Sequence, residues 1–374
     1  MNKGWQTRNL GVLCRIRTGK KDVNEGNPAG EFPFFTCAAE HTFSDSYSFD
    51  TEALLIAGNG DVGKVSYYKG KFEAYQRTYI LSDFTEVLPR FLYLILDGKM
   101  KDTVSKQKLG NTMPYIKVGM LTDFQLPVPP LPEQQRIVGL LDEAFADIAT
   151  AKANAEKNLQ NARALFESHL QSVFTHRGPG WVEKLLGEVC VVKDGTHDSP
   201  KYVADGIPFV TQKNIREDGL SFEKIKFISQ EDHDDFYRRS NAAHGDILIS
   251  MIGANRGMAC VVDDERTFSI KNVGLMKQSP SINQQFLLYF LKSPQAASFV
   301  QSASKGGAQE FVGLTELRRF PVPLPSLARQ NAFAKTFQSL HEETQRLARL
   351  YKRKLALLAA LKKSLMHQAF SGTL

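Results

Sequence analysis

Apolar residues recur at spacings of three and four along two long stretches of this chain. In the first they are Ile137, Leu141, Ala144, Ile148, Ala151, Ala155, Leu159, Ala162 and Leu165, with Leu170 one step off register. In the second they are Phe333, Phe337, Leu340, Thr344, Leu347, Tyr351, Leu355, Leu358, Leu361 and Met366. That period keeps one face of a helix apolar, and over about six heptads it describes a coiled-coil seam. Residues 133–177 hold one glycine, Gly139, and no proline, while residues 327–371 hold neither. Pro132 suits a first helical turn, and Glu133 suits the positive end of the helix dipole. Ser326 stands where an N-cap belongs, and Gly178-Pro179-Gly180 and Gly372 close the two rods. At 1.5 Å per residue, each rod is roughly 65 Å long. The first rod is small at Ala144, Ala151, Ala155 and Ala162, where the second has Leu340, Leu347, Tyr351 and Leu358. An antiparallel pair can interleave such knobs.

The rest of the chain has another texture. Residues 1–130 and 178–326 are rich in glycine, aromatic and β-branched residues. Runs such as 53–57, 64–68 and 246–250 read as strands between turn clusters. One helical run per module is expected, near 88–97 and 283–303. The fold class is therefore α+β: two globular α/β modules separated by two long antiparallel helices. The expected domains are 1–130, 131–177, 178–326 and 327–374.

The two halves repeat each other. Trp5, Leu10-Gly11, Cys14 and Gly19 recur 176 places on as Trp181, Leu186-Gly187, Cys190 and Gly195, and the chain has no other tryptophan. From Leu131/Leu327 through Gln134/Gln330, Leu165/Leu361, Ser168/Ser364 and Phe174/Phe370 the offset holds at 196. A constant offset over a long stretch fits a packed helix that tolerates no insertion. The stretch from Thr36 to Val118 absorbs the length difference and keeps little identity. The chain reads as an internal duplication whose variable modules precede invariant rods.

Composition is ordinary for a folded chain, at 42% hydrophobic and 23% charged residues. No apolar run is long enough to span a bilayer, and the first residues lack a signal-peptide core; a cytoplasmic protein with no membrane association is expected. The four cysteines form no CxxC pair and read as reduced, partly buried thiols, with no metal site. The formal charge of +7 is local. Residues 327–374 hold nine basic against two acidic residues, while 131–175 hold four against six. Opposite signs suit two rods that lie together.

Candidate chemistry is sparse. Gly58-Asn59-Gly60-Asp61-Val62-Gly63 spells GxGxxG, but the residues after it read as strand, not as the helix that a dinucleotide needs. Asp97-Gly98-Lys99 lacks an acidic partner upstream, and Asp194-Gly195-Thr196-His197-Asp198 has no histidine in its repeat counterpart. No nucleophile, base and orienting group assemble, so no enzyme and no cofactor of its own are expected. What the turns do carry is polar and cationic. The first module offers Lys20, Lys21, Asn59, Lys64, Gln76, Arg77, Lys106 and Lys108. The second offers Thr196, His197, Lys201, Tyr202, Lys213, Asn214, Arg238, Arg239, Asn255, Arg256, Lys271, Asn272 and Lys305. Arg and Lys suit phosphates and guanine edges, and Asn and Gln suit adenine. The helix seam is expected at Ile137, Leu141, Ile148, Leu159, Leu165, Phe333, Phe337, Leu340, Leu347, Leu355, Leu358 and Leu361.

The segments 126–138 (LPVPPLPEQQRIV), 320–325 (FPVPLP) and 193–202 (KDGTHDSPKY), with 206–211 (GIPFVT), resemble the specificity subunits of type I restriction–modification enzymes. The resemblance covers the whole chain in the order module, rod, module, rod. The second rod departs from the usual PLxEQ opening with Leu327-Ala-Arg-Gln330. The resemblance implies a chain without catalysis, each module reading one half of an asymmetric bipartite site on double-stranded DNA. The rods would set the spacing and dock two methyltransferase subunits and, through them, restriction–translocase subunits. S-adenosylmethionine, ATP and magnesium would belong to those partners. A related type II assembly, or an architectural coiled-coil scaffold binding protein alone, are the alternatives.

Overall fold

The computed structural model describes residues 4–107, 115–304 and 310–374, with side chains from 102 to 107 left undescribed. The chain divides into two compact units. One holds 1–156 and 353–374, and the other holds 157–352.

In the first unit the order is β1 (Gln6–Asn9), α1 (Leu10–Leu13), β2 (Arg15–Thr18), β3 (Phe32–Phe35) and β4 (Thr42–Ser44). Then come β5 (Phe49–Ala57), β6 (Val65–Ala74), β7 (Thr78–Ser82), α2 (Pro89–Gln107), α3 (Val118–Thr122) and β8 (Gln125–Val128). The long helix α4 (Leu131–Thr175) follows. One sheet runs β2-β7-β5-β6-β3-β4, parallel only where β3 meets β6. β5 is apolar throughout its second half because both its faces are covered. Leu54 and Ile56 join a core with α2, while Ala53 and Leu55 face Phe35 and Phe72. β1 pairs with β8 to close the module at its base.

The second unit repeats the plan with β9 (Val182–Leu185), α5 (Leu186–Val189), β10 (Val192–Asp194), β11 (Ile207–Val210), β12 (Ile215–Arg216), β13 (Gly219–Leu220) and β14 (Lys226–Ile228). It continues through α6 (Gln230–Ser240), β15 (Ile247–Ser250), β16 (Ala259–Val261), β17 (Ser269–Ile270) and β18 (Val273–Met276). Next are α7 (Gln284–Leu291), α8 (Pro294–Ser302), α9 (Leu314–Arg318), β19 (Pro321–Leu324) and α10 (Leu327–Ser371). The parallel register repeats: Phe34 opposes Glu73 in β3–β6, and Phe209 opposes Ser269 in β11–β17. The strand that is continuous as β6 is here split into β16 and β17. β9 and β19 form the closing pair.

The module helices depart from expectation. The run near 88–97 extends to Gln107. The run 283–303 is two helices, because Ser293 caps a new start with Pro294 at its first position. α6 is an additional helix in the second module, capped by Ser229.

The rods form as expected, and their facing residues differ in detail. In the first unit Ile137, Leu141, Ala369 and Phe370 share one core, so the start of α4 meets the end of α10. In the second, Leu170, Phe174, Ala334 and Phe337 do so, so the end of α4 meets the start of α10. Each contact is antiparallel. Ile148, Leu159, Phe333, Leu340, Leu347, Leu355 and Leu358 are half-buried. Leu165 and Leu361 are not in the seam: they are 52% and 47% exposed. A 3.6-residue helix drifts about 20° per heptad against a strict repeat, which moves the seam by one residue. Phe166 takes the inward place, its ring 4.9 Å from His341. Near Leu361, Leu365 and Met366 pack against the first unit's core, while exposed Lys362 holds its ammonium 4.9 Å from the Phe145 ring. Leu170, the off-register residue, is fully buried.

Candidate nucleic-acid interface

Both modules gather polar side chains at one equivalent point, where the chain leaving β2 or β10 crosses the end of the parallel strand. The crossing needs glycine. A Cβ on Gly19 would lie 2.6 Å from the Tyr75 carbonyl oxygen, and one on Gly195 would lie 2.5 Å from the Ile270 carbonyl carbon. Past the glycine, the two chains form one parallel bridge: Lys21 with Tyr75, and Thr196 with Lys271. The Gln76 amide donates to the Lys21 carbonyl at 3.0 Å, and the Asn272 amide donates to the Thr196 carbonyl at 3.1 Å.

On this shared frame the side chains differ. In the first module the Lys21 ammonium donates to Ser46 Oγ at 2.7 Å and Ser44 Oγ at 3.1 Å, and lies 3.6 Å from the buried Glu73 carboxylate. Gln76 donates to Asp22 at 3.3 Å. Lys20, Gln76 and Arg77 are exposed around it. In the second module the buried Asp194 carboxylate holds Arg239 through both oxygens at 2.8 and 2.9 Å. It also contacts His197 Nε2 at 3.2 Å, while His197 Nδ1 meets Asn272 Oδ1 at 2.7 Å. Lys271 donates to Ser199 at 2.6 Å. Each cluster thus stands over a buried carboxylate, paired as a buried charge must be: Glu73 with the half-buried Lys21, and Asp194 with Arg239 and His197, which stay open to solvent.

Other candidates fall elsewhere. Lys64 donates to the Ala39 carbonyl, and Asn59 lies in the turn before β6. That turn leads into a strand, so the GxGxxG segment has no helix to receive a pyrophosphate. Tyr202 is exposed, with the Lys226 ammonium 4.1 Å from its ring. Lys201, Lys213 and Asn255 are exposed, and Arg238 is exposed while donating to the Asp234 carbonyl. Arg256 is largely buried and bound to Glu310 at 2.6 Å. The Lys106 side chain, Lys108 and Lys305 lie outside the described residues.

Two candidates are corrected. Asn214 is 7% exposed and spends its amide on a turn, accepting from the Thr211 amide and donating to the Ser221 carbonyl. Thr196 is 3% exposed, and its hydroxyl bonds Asp198. Asp194, Glu73 and Asp22, which orient the clusters, are not among the sequence candidates, since a carboxylate has no affinity of its own for DNA phosphates and acts here only through the side chains it holds. Asp194 beside the duplicated glycine was the available signal.

The cysteines at 14 and 190 repeat structurally too, each Sγ donating to the carbonyl four residues before it. Burial pushes both thiols, and that of Cys260, up to about 12. Burial also lowers the pKa of His233, which bonds Ser269 at 2.9 Å, and of His341. Among the described residues no group of His, Cys, Asp and Glu could hold a metal ion, and no helix is long and apolar enough to cross a membrane.

Comparison with known proteins gives one consistent result. The family described as the type I restriction modification DNA specificity domain matches residues 2–159 and again residues 179–354. The chain is 25% identical to the type I restriction enzyme EcoDI specificity subunit of Escherichia coli, over 99% of this chain and 88% of that one. It is 23% identical to the MjaVIII specificity subunit of Methanocaldococcus jannaschii, over 78% and 72%. In fold it resembles a chain from a structure of the assembly and conformational transition of the type I R-M system, with TM-score 0.77, 18% identity and coverage of 100% and 99%. It also resembles the HsdS subunit from Thermoanaerobacter tengcongensis, with TM-score 0.63, 19% identity and coverage of 100% and 98%.

Proposed function

The chain belongs to the type I restriction modification DNA specificity domain family, and from that premise we propose that it is the DNA-reading, non-catalytic subunit of a restriction–modification complex. Residues 1–130 and 178–326 each read one half of a bipartite site on double-stranded DNA. Residues 131–177 and 327–374 hold the modules apart and dock two methyltransferase subunits, which in turn carry the restriction–translocase subunits. S-adenosylmethionine, ATP and magnesium act on those partners, in the cytoplasm.

The observation that carries this reading is the duplicated crossing point. One backbone frame presents Lys20, Lys21, Gln76 and Arg77 in one module, and His197, Arg239, Lys271 and Asn272 in the other. A common frame with different hydrogen-bonding groups is what reading two different short sequences requires, because base edges are told apart by donor and acceptor pattern. Exposed leucines on the outward faces, Leu357 and Leu361 in one unit and Leu165 and Leu350 in the other, support partner docking.

The test is methylation mapping after co-expression with the methyltransferase partner, for the native chain and for one whose residues 1–130 come from another family member. The exchange is expected to change one half-site and leave the other. A change in both halves, or no change, would sink the modular reading. A gel shift on random duplex should weaken steeply with salt as counterions are released, and a flat response would argue against DNA as the ligand.

A further inference from the structure

Each rod carries a buried glutamine in its first turn, and the two make the same contact in their own units. Gln134 is fully buried. Its Nε2 donates to the Pro129 carbonyl at 2.8 Å and the Glu86 carbonyl at 2.9 Å, and its Oε1 accepts from the Leu88 amide at 2.7 Å. Gln330 is 2% exposed. Its Nε2 donates to the Pro325 carbonyl at 2.9 Å, and its Oε1 accepts from the Asn283 amide at 2.9 Å. Leu88 and Asn283 each stand at the start of a module helix, α2 and α7. Backbone amides there have no partner within their helix. One planar amide therefore joins three things: the first turn of the rod, the strand that leads into it, and the module's own helix.

We propose that Gln134 and Gln330 are positioning residues that set how strictly the complex measures the gap between half-sites, by fixing the angle of each module on its rod. This rests on the bipartite reading above. A primary amide is suited to the place because it donates and accepts from one rigid plane. Without it, buried backbone groups on both sides of the joint are left unpaired, and the joint relieves them by opening to water. A looser joint matters because each base pair of spacer moves the next half-site by roughly 3.4 Å and 35°. A module that swings on its rod accepts spacers that a locked module rejects.

The joints are reinforced unequally. In the first, Arg90 forks onto Asp142 of α4, with a shortest distance of 2.6 Å. In the second, Asn283 contacts Asn331 at 2.7 Å, and the rings of Phe286 and Tyr289 in α7 meet those of Phe333 and Phe337 in α10. Gln134 makes three hydrogen bonds and Gln330 two, so loss of either is expected to loosen its joint.

The experiment uses the full chain bound to its methyltransferase partner and measures affinity for duplexes carrying the mapped site with the native spacer and with spacers one base pair longer or shorter. Gln134→Met and Gln330→Met keep length and bulk while removing the hydrogen bonds. The ratio of native-spacer to altered-spacer affinity is expected to fall at least about fivefold in each variant. A merely stabilising role would lower affinity for all three duplexes and leave the ratio intact. A ratio within twofold of wild type in both variants overturns the proposal. Should either variant fail to fold, Asn331→Ala and Asp142→Asn weaken the same joints more gently and are judged by the same ratio. A wild-type complex indifferent to spacer length would instead refute the bipartite reading, and this inference with it.

Discussion

Replacing Gly195 by alanine is the sharpest single test of the crossing point. The added methyl would sit 2.5 Å from the Ile270 carbonyl carbon and 2.9 Å from its Cγ1. Ordinary carbon contacts are about 3.5–4.0 Å, so the loop must retreat by about 1 Å. Three backbone hydrogen bonds cross that gap: Gly195 to Val273 at 2.9 Å, Thr196 to Ile270 at 3.0 Å, and Asn272 to Thr196 at 3.1 Å. Overpacking of this kind costs about 1–3 kcal/mol, and each weakened bond adds up to about 1 kcal/mol. A local loss of about 1–6 kcal/mol follows. Native-state hydrogen exchange should show it at the Thr196 and Asn272 amides, as protection falling by about one to four orders of magnitude at about 1.4 kcal/mol each. Recognition of the half-site read by the second module should weaken, and the other should not. Gly139→Ala is the control: nothing lies within 4 Å of the new methyl, and on the exposed face of α4's third turn it should add about 0.5–1 kcal/mol of stability. If Gly195→Ala leaves exchange within error of wild type, the crossing is not a tight packing point and the argument fails.

Other outcomes follow from the same structure. Burial lowers the pKa of His233 and of His341 below the ordinary imidazole value, so the folded state favours the neutral ring. Their contribution to stability is intact above about 6.5 and is lost as pH falls below it; the melting temperature should drop from pH 7 to 5, and His233→Gln should flatten that slope. Cys14, Cys190 and Cys260 should resist alkylation at pH 8 in the folded protein and react once urea unfolds it; rapid labelling of the native chain would contradict their burial. Leu361→Asp should leave the melt nearly unchanged and reduce co-purification of the methyltransferase partner, while Leu141→Asp should unfold the first unit.

The rods were legible because a constant offset and a three-four spacing are local signals that no tertiary contact has to supply. Their inward residues were legible to within one position, since the drift of a 3.6-residue helix accumulates beyond what a heptad template carries. α6 was not read, although Ser229, the acidic Glu231 and Asp232, and Arg238-Arg239 mark its two ends. Only His233, Phe236 and Ser240 of its eleven residues are buried, too weak a stripe to stand out. The crossing glycines were visible as a repeat, but the pairing of His197 with Asp194 and Asn272 was not, because Asn272 lies 75 residues away. Gln134 and Gln330 were visible as a match and silent as to role, their partners lying 46 and 47 residues upstream.

The first unit is assembled from both ends of the chain. Its core contains Ala369 and Phe370, and the Phe370 ring meets Phe91 edge-on at 5.7 Å. The second unit is a single continuous segment, 157–352. On the ribosome, therefore, the order of completion is reversed. The module made first waits with part of its apolar surface uncovered until Ala369 and Phe370 emerge, while the module made second can close beforehand. Loss of the final six residues would strip Phe370 from that core at a cost of about 3–5 kcal/mol. The damage would appear in the module farthest away in sequence.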